Sequence, residues 1–151
     1  MMIRGEQLRG TRTATIKAPW DGAEVGIHPL GSAEDMDAAV EANVEAADGC
    51  RHLPAYERAS CLRRIADGLQ SHMGELDALL AREAGKPITQ ARLELDRAIF
   101  VFRDAAEEAT RIGGDLMPLD VMAAGKARIG LTRRFPLSPI AAITPDRKSV
   151  V

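Results

Sequence analysis

The chain has 151 residues, of which 46% are hydrophobic and 28% charged. This balance is typical of a globular domain and excludes a disordered chain, and a net charge of −2 with scattered Lys and Arg argues against a nucleic-acid partner. No apolar run approaches the roughly 20 residues that span a bilayer, and residues 1–10 lack the apolar segment of a signal peptide, so we expect a cytoplasmic protein with no membrane partner.

The first third of the chain predicts a β-hairpin followed by a helix. The runs TRTATIKAP and AEVGIHPL flank PWDG, whose Pro, Asp and Gly suit a reversal of direction. Ser32 and Asp35 form a Ser-x-x-Asp capping box, so a helix should follow and continue to Gly49. Its apolar residues recur at helical spacing and predict one buried stripe: Met36, Ala39, Val40, Val44 and Ala47.

Three further helices are predicted in the middle of the chain. The first starts near Ala55 and pauses at His72, with an inner face made of Leu62, Ile65, Ala66 and Leu69. The second ends at a corner where Gly85 can adopt the left-handed conformation and Pro87 prevents simple continuation. The third should run from Ile88 to about Ile112, with an inner face made of Leu95, Ile99, Phe102 and Ala106.

The last part of the chain predicts a connection and two strands of different character. DLMPLDVMAAGK contains Pro and Gly and is interpreted as a connection. ARIGLTRRFP alternates apolar and polar residues in the manner of an exposed strand. That strand could be a sheet edge that pairs with another subunit or part of a simple surface hairpin. IAAIT has the small, β-branched character of a strand buried on both faces, and in open parallel sheets ligands bind at the carboxyl ends of such strands.

Side-chain chemistry is sparse. Cys50 and Cys61 are not at the spacing of a metal site or disulfide framework and are interpreted as ordinary thiols. We expect surface or capping roles for His28, His52 and His72, because none has an acidic partner at a recognisable spacing. The sequence contains none of the common glycine-rich phosphate motifs, so we predict neither catalytic residues nor a metal site.

A set of motifs follows the helical region in a fixed order and is continued by GGDLMPLD and RRFPLSPIAAITP. The helical motif residues are Leu53–Pro54, Arg58, Leu62, Ala66–Asp67, Leu69, Glu83, Gly85–Lys86–Pro87, Ala91 and Glu94. Together, over roughly residues 17–145, these motifs resemble the N-terminal helices of the aldehyde dehydrogenase superfamily and the link into its cofactor domain, although Ser138 replaces the commoner Gly. The resemblance rests on order and spacing more than on any single motif.

The resemblance implies an α/β fold made of the N-terminal hairpin and helices of a Rossmann-type domain, truncated after its first core strand. It implies oxidation of an aldehyde to a carboxylic acid through a cysteine thiohemiacetal and thioester, with NAD or NADP as cofactor. Ile143, Thr144 and Pro145 would bind the cofactor through their backbone. The catalytic Cys and Glu of the family match no residue here, so we expect this chain to be inactive alone. A small-molecule aldehyde and a homodimer or homotetramer formed through the strand near 127–135 are the implied partners.

The resulting division has five parts. Residues 1–31 form an N-terminal segment with the hairpin, 32–114 the helical part of the cofactor-binding domain, 115–138 a connection with the oligomerisation strand, and 139–145 the first core strand. Residues 146–151, DRKSVV, resemble no continuation of the family's loop, and one codon choice for them spells a sequencing adapter, so we expect a non-native tail. The competing interpretation of the whole chain is a non-enzymatic helical interaction module.

Overall fold

The computed structural model describes residues 1–7, 10, 12–137 and 139–143. Its described strands form three antiparallel pairs: β1 (Met2–Ile3) with β2 (Glu6–Gln7), β3 (Arg12–Lys17) with β4 (Glu24–Leu30), and β5 (Leu116–Pro118) with β6 (Ile129–Leu131). Four helices lie between the second and third pairs: α1 (Ala33–His52), α2 (Ala55–Ser71), α3 (Met73–Ala84) and α4 (Ile88–Glu108). The mixed α/β character predicted from the sequence is confirmed.

The predicted hairpin is the β3–β4 pair. Asp21 accepts a hydrogen bond from the backbone of Ala23 at 2.9 Å, and Gly22 adopts a positive φ of 71°, which closes the turn. A register shift after Ile16 bends the end of the hairpin.

Helix α1 begins at the predicted capping box. The Ser32 hydroxyl accepts from the Asp35 amide at 3.1 Å, and the Asp35 carboxylate accepts from the Ser32 amide at 2.9 Å. The apolar stripe of α1 is nevertheless uncovered, since no residue of α1 is buried and Met36, Val40 and Val44 are 65%, 54% and 60% exposed. The expectation that this stripe has an internal partner is wrong for the described residues.

The core lies between α2 and α4. Alanines on both helices let the two backbones approach closely, and the longer side chains of Leu95 and Ile99 fill the space beside them. Ile65, predicted on the inner face of α2, is instead 44% exposed. The buried hydrophobic residues are Ala59 and Ala66 on α2, Ala91, Leu95, Ile99 and Ala106 on α4, and Ala109 just beyond α4; of these, Ala59, Ala106 and Ala109 form one cluster with Leu62.

Two predicted boundaries differ from the structure. Helix α4 ends at Glu108 and not near Ile112, since the amides of Thr110 and Arg111 bond to carbonyls three residues back and tighten the last turn. Residues 139–143 have no regular structure, because a strand requires a neighbouring ladder and the described residues supply none; Thr144 and Pro145 of the predicted strand 139–145 lie outside the described residues. Leu116–Pro118, expected to be connection, is a strand.

Candidate functional site

The corner between α3 and α4 is constrained by a left-handed glycine and an ion pair. Gly85 adopts φ 64° and ψ 26°, and a Cβ added there would lie 3.2 Å from Cγ of Pro19. Lys86, whose side chain is 18% exposed, donates to Glu94 on α4 at 2.6 Å. The corner therefore joins the hairpin loop, α3 and α4 through one glycine and one ion pair.

A second ion pair joins the same two helices. Asp77 on α3 is buried, and its carboxylate accepts from Nε of Arg92 on α4 at 2.9 Å. The guanidinium of Arg92 remains half exposed. The ion pair therefore fixes α3 against α4 while one of its two charged groups stays in contact with water.

The joint between α1 and α2 is held by Arg58, whose guanidinium donates to the carbonyl of Leu53 at the end of α1. Pro54 then starts α2, where its missing amide costs nothing. The helical motif residues that carry the resemblance therefore serve the framework, and Ala66 and Ala91 are among the buried contacts of the core.

The remaining chemistry-bearing side chains lie in local contacts. His52 bonds to the carbonyl of Asp48 and His72 to that of Gly68, both at 2.9 Å, so their predicted capping roles are confirmed, and His28 is exposed on β4. The described residues contain no cluster of three His, Cys, Asp or Glu that could hold a metal. Cys50 is exposed, and Cys61 accepts from Arg64 at 3.2 Å.

Two surface groups have displaced pKa values. The pKa of Glu34 is lowered because its own backbone amide and the Ser32 hydroxyl donate to its carboxylate at the start of α1. The pKa of Tyr56 is raised because its hydroxyl donates to Glu57 at 2.8 Å. Both shifts have local causes on helix surfaces.

A cleft of about 650 Å³ lies where the end of α1, the loop after α4 and the segment after β6 meet. Four arginines line it, and no carboxylate does. Phe135 forms part of the wall, and the guanidinium of Arg133 lies 5.1 Å from the centre of its ring. Sequence reasoning missed this cleft, although the Arg133–Arg134 pair was visible as a charge doublet.

Of the predicted cofactor residues, Ile143 alone lies in the described part of the chain. Ile143 is 98% exposed, and Thr144 and Pro145 lie outside the described residues. Residues 139–143 are without regular structure, so the described part of the chain does not by itself form the strand end at which a nucleotide would bind.

Comparison with known proteins decides the family. The model of the aldehyde dehydrogenase family matches residues 7–145. The chain belongs to the aldehyde dehydrogenase family. The family match confirms the resemblance found in the sequence and leaves only the two ends of the chain outside it.

Relatives within this family act on several aldehydes. The chain is 34% identical over 127 residues to aspartate-semialdehyde dehydrogenase 1 of Pseudomonas canavaninivorans, a match that covers 84% of this chain and 27% of that protein. It is 34% identical over 146 residues to the NADP⁺-dependent succinate-semialdehyde dehydrogenase of Escherichia coli, covering 95% of the chain and 30% of the relative. The chain thus spans less than a third of the length of these relatives.

A solved structure supports the same arrangement of helices and hairpins. The NADP-dependent glyceraldehyde-3-phosphate dehydrogenase of Bacillus halodurans C-125, solved with NADP, is 28% identical and superposes with a TM-score of 0.82. The match covers 90% of this chain and 29% of that structure. The fold described above is therefore part of an aldehyde dehydrogenase fold.

Among the described helices, none combines the length and the apolar character that crossing a membrane requires.

Proposed function

We propose that the chain is the amino-terminal part of an NAD(P)-dependent enzyme that oxidises an aldehyde to a carboxylic acid through a cysteine thioester. The observation that carries this proposal is the family match over residues 7–145, supported by the superposition on an NADP-dependent relative. The relatives differ in the aldehyde named for each, so the proposed substrate is a small-molecule aldehyde without further definition. The proposed location of the enzyme is the cytoplasm.

The cofactor of the complete enzyme is NAD or NADP. One structural relative was solved with NADP, and another with nicotinamide adenine dinucleotide. Ile143, Thr144 and Pro145 are the proposed contact residues of this chain, through backbone groups. The proposed role of these three residues is to bind the cofactor and not to take part in the reaction.

The 151-residue chain is proposed to be inactive alone. Its two thiols, Cys50 and Cys61, match neither catalytic segment of the family, and among the described contacts neither bonds to a histidine or carboxylate that could act as its base. The assay follows the ultraviolet absorbance of NADH or NADPH with the purified chain, several aldehydes and each cofactor. We expect no rate above a blank, and steady turnover would contradict the proposal.

Assembly of the complete enzyme as a homodimer or homotetramer is proposed to use the strand near 127–135. Ile129 and Leu131 of β6 are 69% and 80% exposed, and among the described strands β6 pairs only with β5. The division into parts at residues 31, 114, 138 and 145, with a non-native tail over 146–151, remains part of this proposal.

One observation favours the second candidate, a helical interaction module. The exposed stripe of α1 is the kind of face that binds a partner. Light scattering separates the two: a chain that stays monomeric supports the module, whereas a chain that self-associates through the exposed apolar surface outside its α2–α4 core supports the enzyme segment.

A further inference from the structure

We infer that the cleft between α1, the loop after α4 and the segment after β6 binds the phosphate group of a small molecule. We call it the arginine cleft and define it by the four arginines of its lining, Arg51, Arg58, Arg133 and Arg134. The lining residues of the arginine cleft do not include Ile143, the proposed cofactor contact that the structure describes.

The positive charge of the arginine cleft is uncompensated. Four guanidinium groups around about 650 Å³, with no carboxylate among the lining residues, repel one another and attract an anion. A second cleft shows the ordinary arrangement: Arg63 and Arg103 line about 220 Å³ together with Asp67 and Glu107. The second cleft is neutralised by its own acids, whereas the arginine cleft is not.

Two of the four arginines are already held in place. Arg58 is half-buried and fixed by its bond to the Leu53 carbonyl, and Arg133 is held over the ring of Phe135. An anion therefore meets guanidinium groups that have lost part of their freedom before binding, which lowers the entropic cost.

Neighbouring acids do not cancel the charge of the cleft. Arg134 also lines an adjoining cavity that contains Glu108 and Asp115. Glu108 accepts from Arg111 at 2.7 Å, and the Asp115 carboxylate accepts from the Thr132 hydroxyl at 3.3 Å. Glu108 is thus paired with a cation, whereas Asp115 accepts only from a neutral hydroxyl and offsets part of the charge of Arg134; no carboxylate lines the arginine cleft itself among the described residues.

The favoured anion is a phosphate group and not a simple carboxylate. A phosphate monoester carries about −1.5 to −2 charges at neutral pH and three strong acceptor oxygens, which suits several guanidinium forks better than a single negative charge does. The cleft volume also leaves space for the organic part of a phosphorylated small molecule.

The test is calorimetric titration of the 151-residue chain with inorganic pyrophosphate, and with acetate for comparison, at two NaCl concentrations. We expect saturable pyrophosphate binding that weakens as salt rises, and little binding of acetate. The double variant Arg51→Gln/Arg134→Gln, made at two exposed side chains that hold no framework contact, should raise the Kd at least about tenfold.

The matched control is Arg63→Gln/Arg103→Gln, which removes the same charge from the second cleft. It should leave the Kd within about twofold, and helix content by circular dichroism should be the same in both double variants. Equal weakening by both pairs would show a net-charge effect and overturn the proposal, as would absence of saturable binding. Equal affinity for acetate and pyrophosphate would contradict the phosphate assignment.

Discussion

The α2–α4 pair and helix α1 are built from similar apolar residues, yet only the first pair buries them. Between α2 and α4, small alanines allow close approach, and Leu95 and Ile99 are buried. Helix α1 has a well-formed cap and a regular stripe but no buried residue. Local sequence therefore determines where a helix forms, whereas burial depends on what lies against it.

The exposed area of the whole chain agrees with this contrast. The structure exposes 12372 Å², whereas a compact folded monomer of this mass exposes about 7500 Å². Large side chains outside the α2–α4 core account for part of the excess, including Trp20, Val121 and Leu137. This excess fits a segment that is covered by further parts of an enzyme.

The largest expected effect comes from the core. Ile99→Ala removes a buried side chain from α4 and should lower the free energy of unfolding by about 2–4 kcal/mol. Val101→Ala on the same helix is the control, since Val101 is exposed, and it should change stability by less than about 0.5 kcal/mol. Urea unfolding followed by circular dichroism measures both, and equal effects would contradict the proposed core.

The corner at Gly85 should show the next largest effect. Gly85→Ala places a Cβ in the left-handed region and close to Pro19, so we expect a loss of about 1–2 kcal/mol in the free energy of unfolding. Gly68→Ala, inside α2 with no heavy atom near the new Cβ, should instead stabilise the chain by about 0.5–1 kcal/mol. In urea unfolding, the two substitutions should change the free energy of unfolding in opposite directions. A change in the same direction would contradict the left-handed conformation assigned to Gly85.

A cap change should separate local from global stability. Ser32→Ala removes the hydroxyl of the capping box and should cost α1 about 1 kcal/mol. Because α1 has no buried residue, we expect faster amide exchange in its first turns and no change in α2 or α4. Loss of protection in α2 as well would show that α1 is coupled to the core.

The smallest expected effect is the pH dependence of the same helix start. The pKa of Glu34 is lowered in the folded chain, so its stabilising contribution is present above the pKa of the unfolded chain and is lost as the pH falls through the lower folded value. A carbon-detected NMR titration should place the Glu34 midpoint below the ordinary 4.5. In the Ser32→Ala variant the midpoint should move upward, and an unchanged midpoint would exclude the hydroxyl as a cause.

Sequence patterns predicted where helices and turns form better than they predicted which parts of the chain pack together. The capping box at Ser32, the reversal at Gly22 and the stop at Gly85 were predictable because each depends on a few adjacent residues. The predicted strand has no counterpart in residues 140–143, because a strand forms only beside other strands. Strand β5 was not predicted, because Pro118 lies within it. The arginine cleft joins residues about 80 positions apart, which no local pattern reveals.

Amide hydrogen exchange of α1, in two settings, tests the central claim that this chain is a segment of an aldehyde dehydrogenase. One sample is the chain itself, and the other is a chimera in which residues 7–145 replace the matching segment of the succinate-semialdehyde dehydrogenase of Escherichia coli. We expect α1 to exchange fast in the chain, while α2 and α4 are protected, and to slow at least about tenfold in the chimera. Equal protection of α1 in both samples, or a folded chimera in which α1 remains unprotected, would contradict the claim.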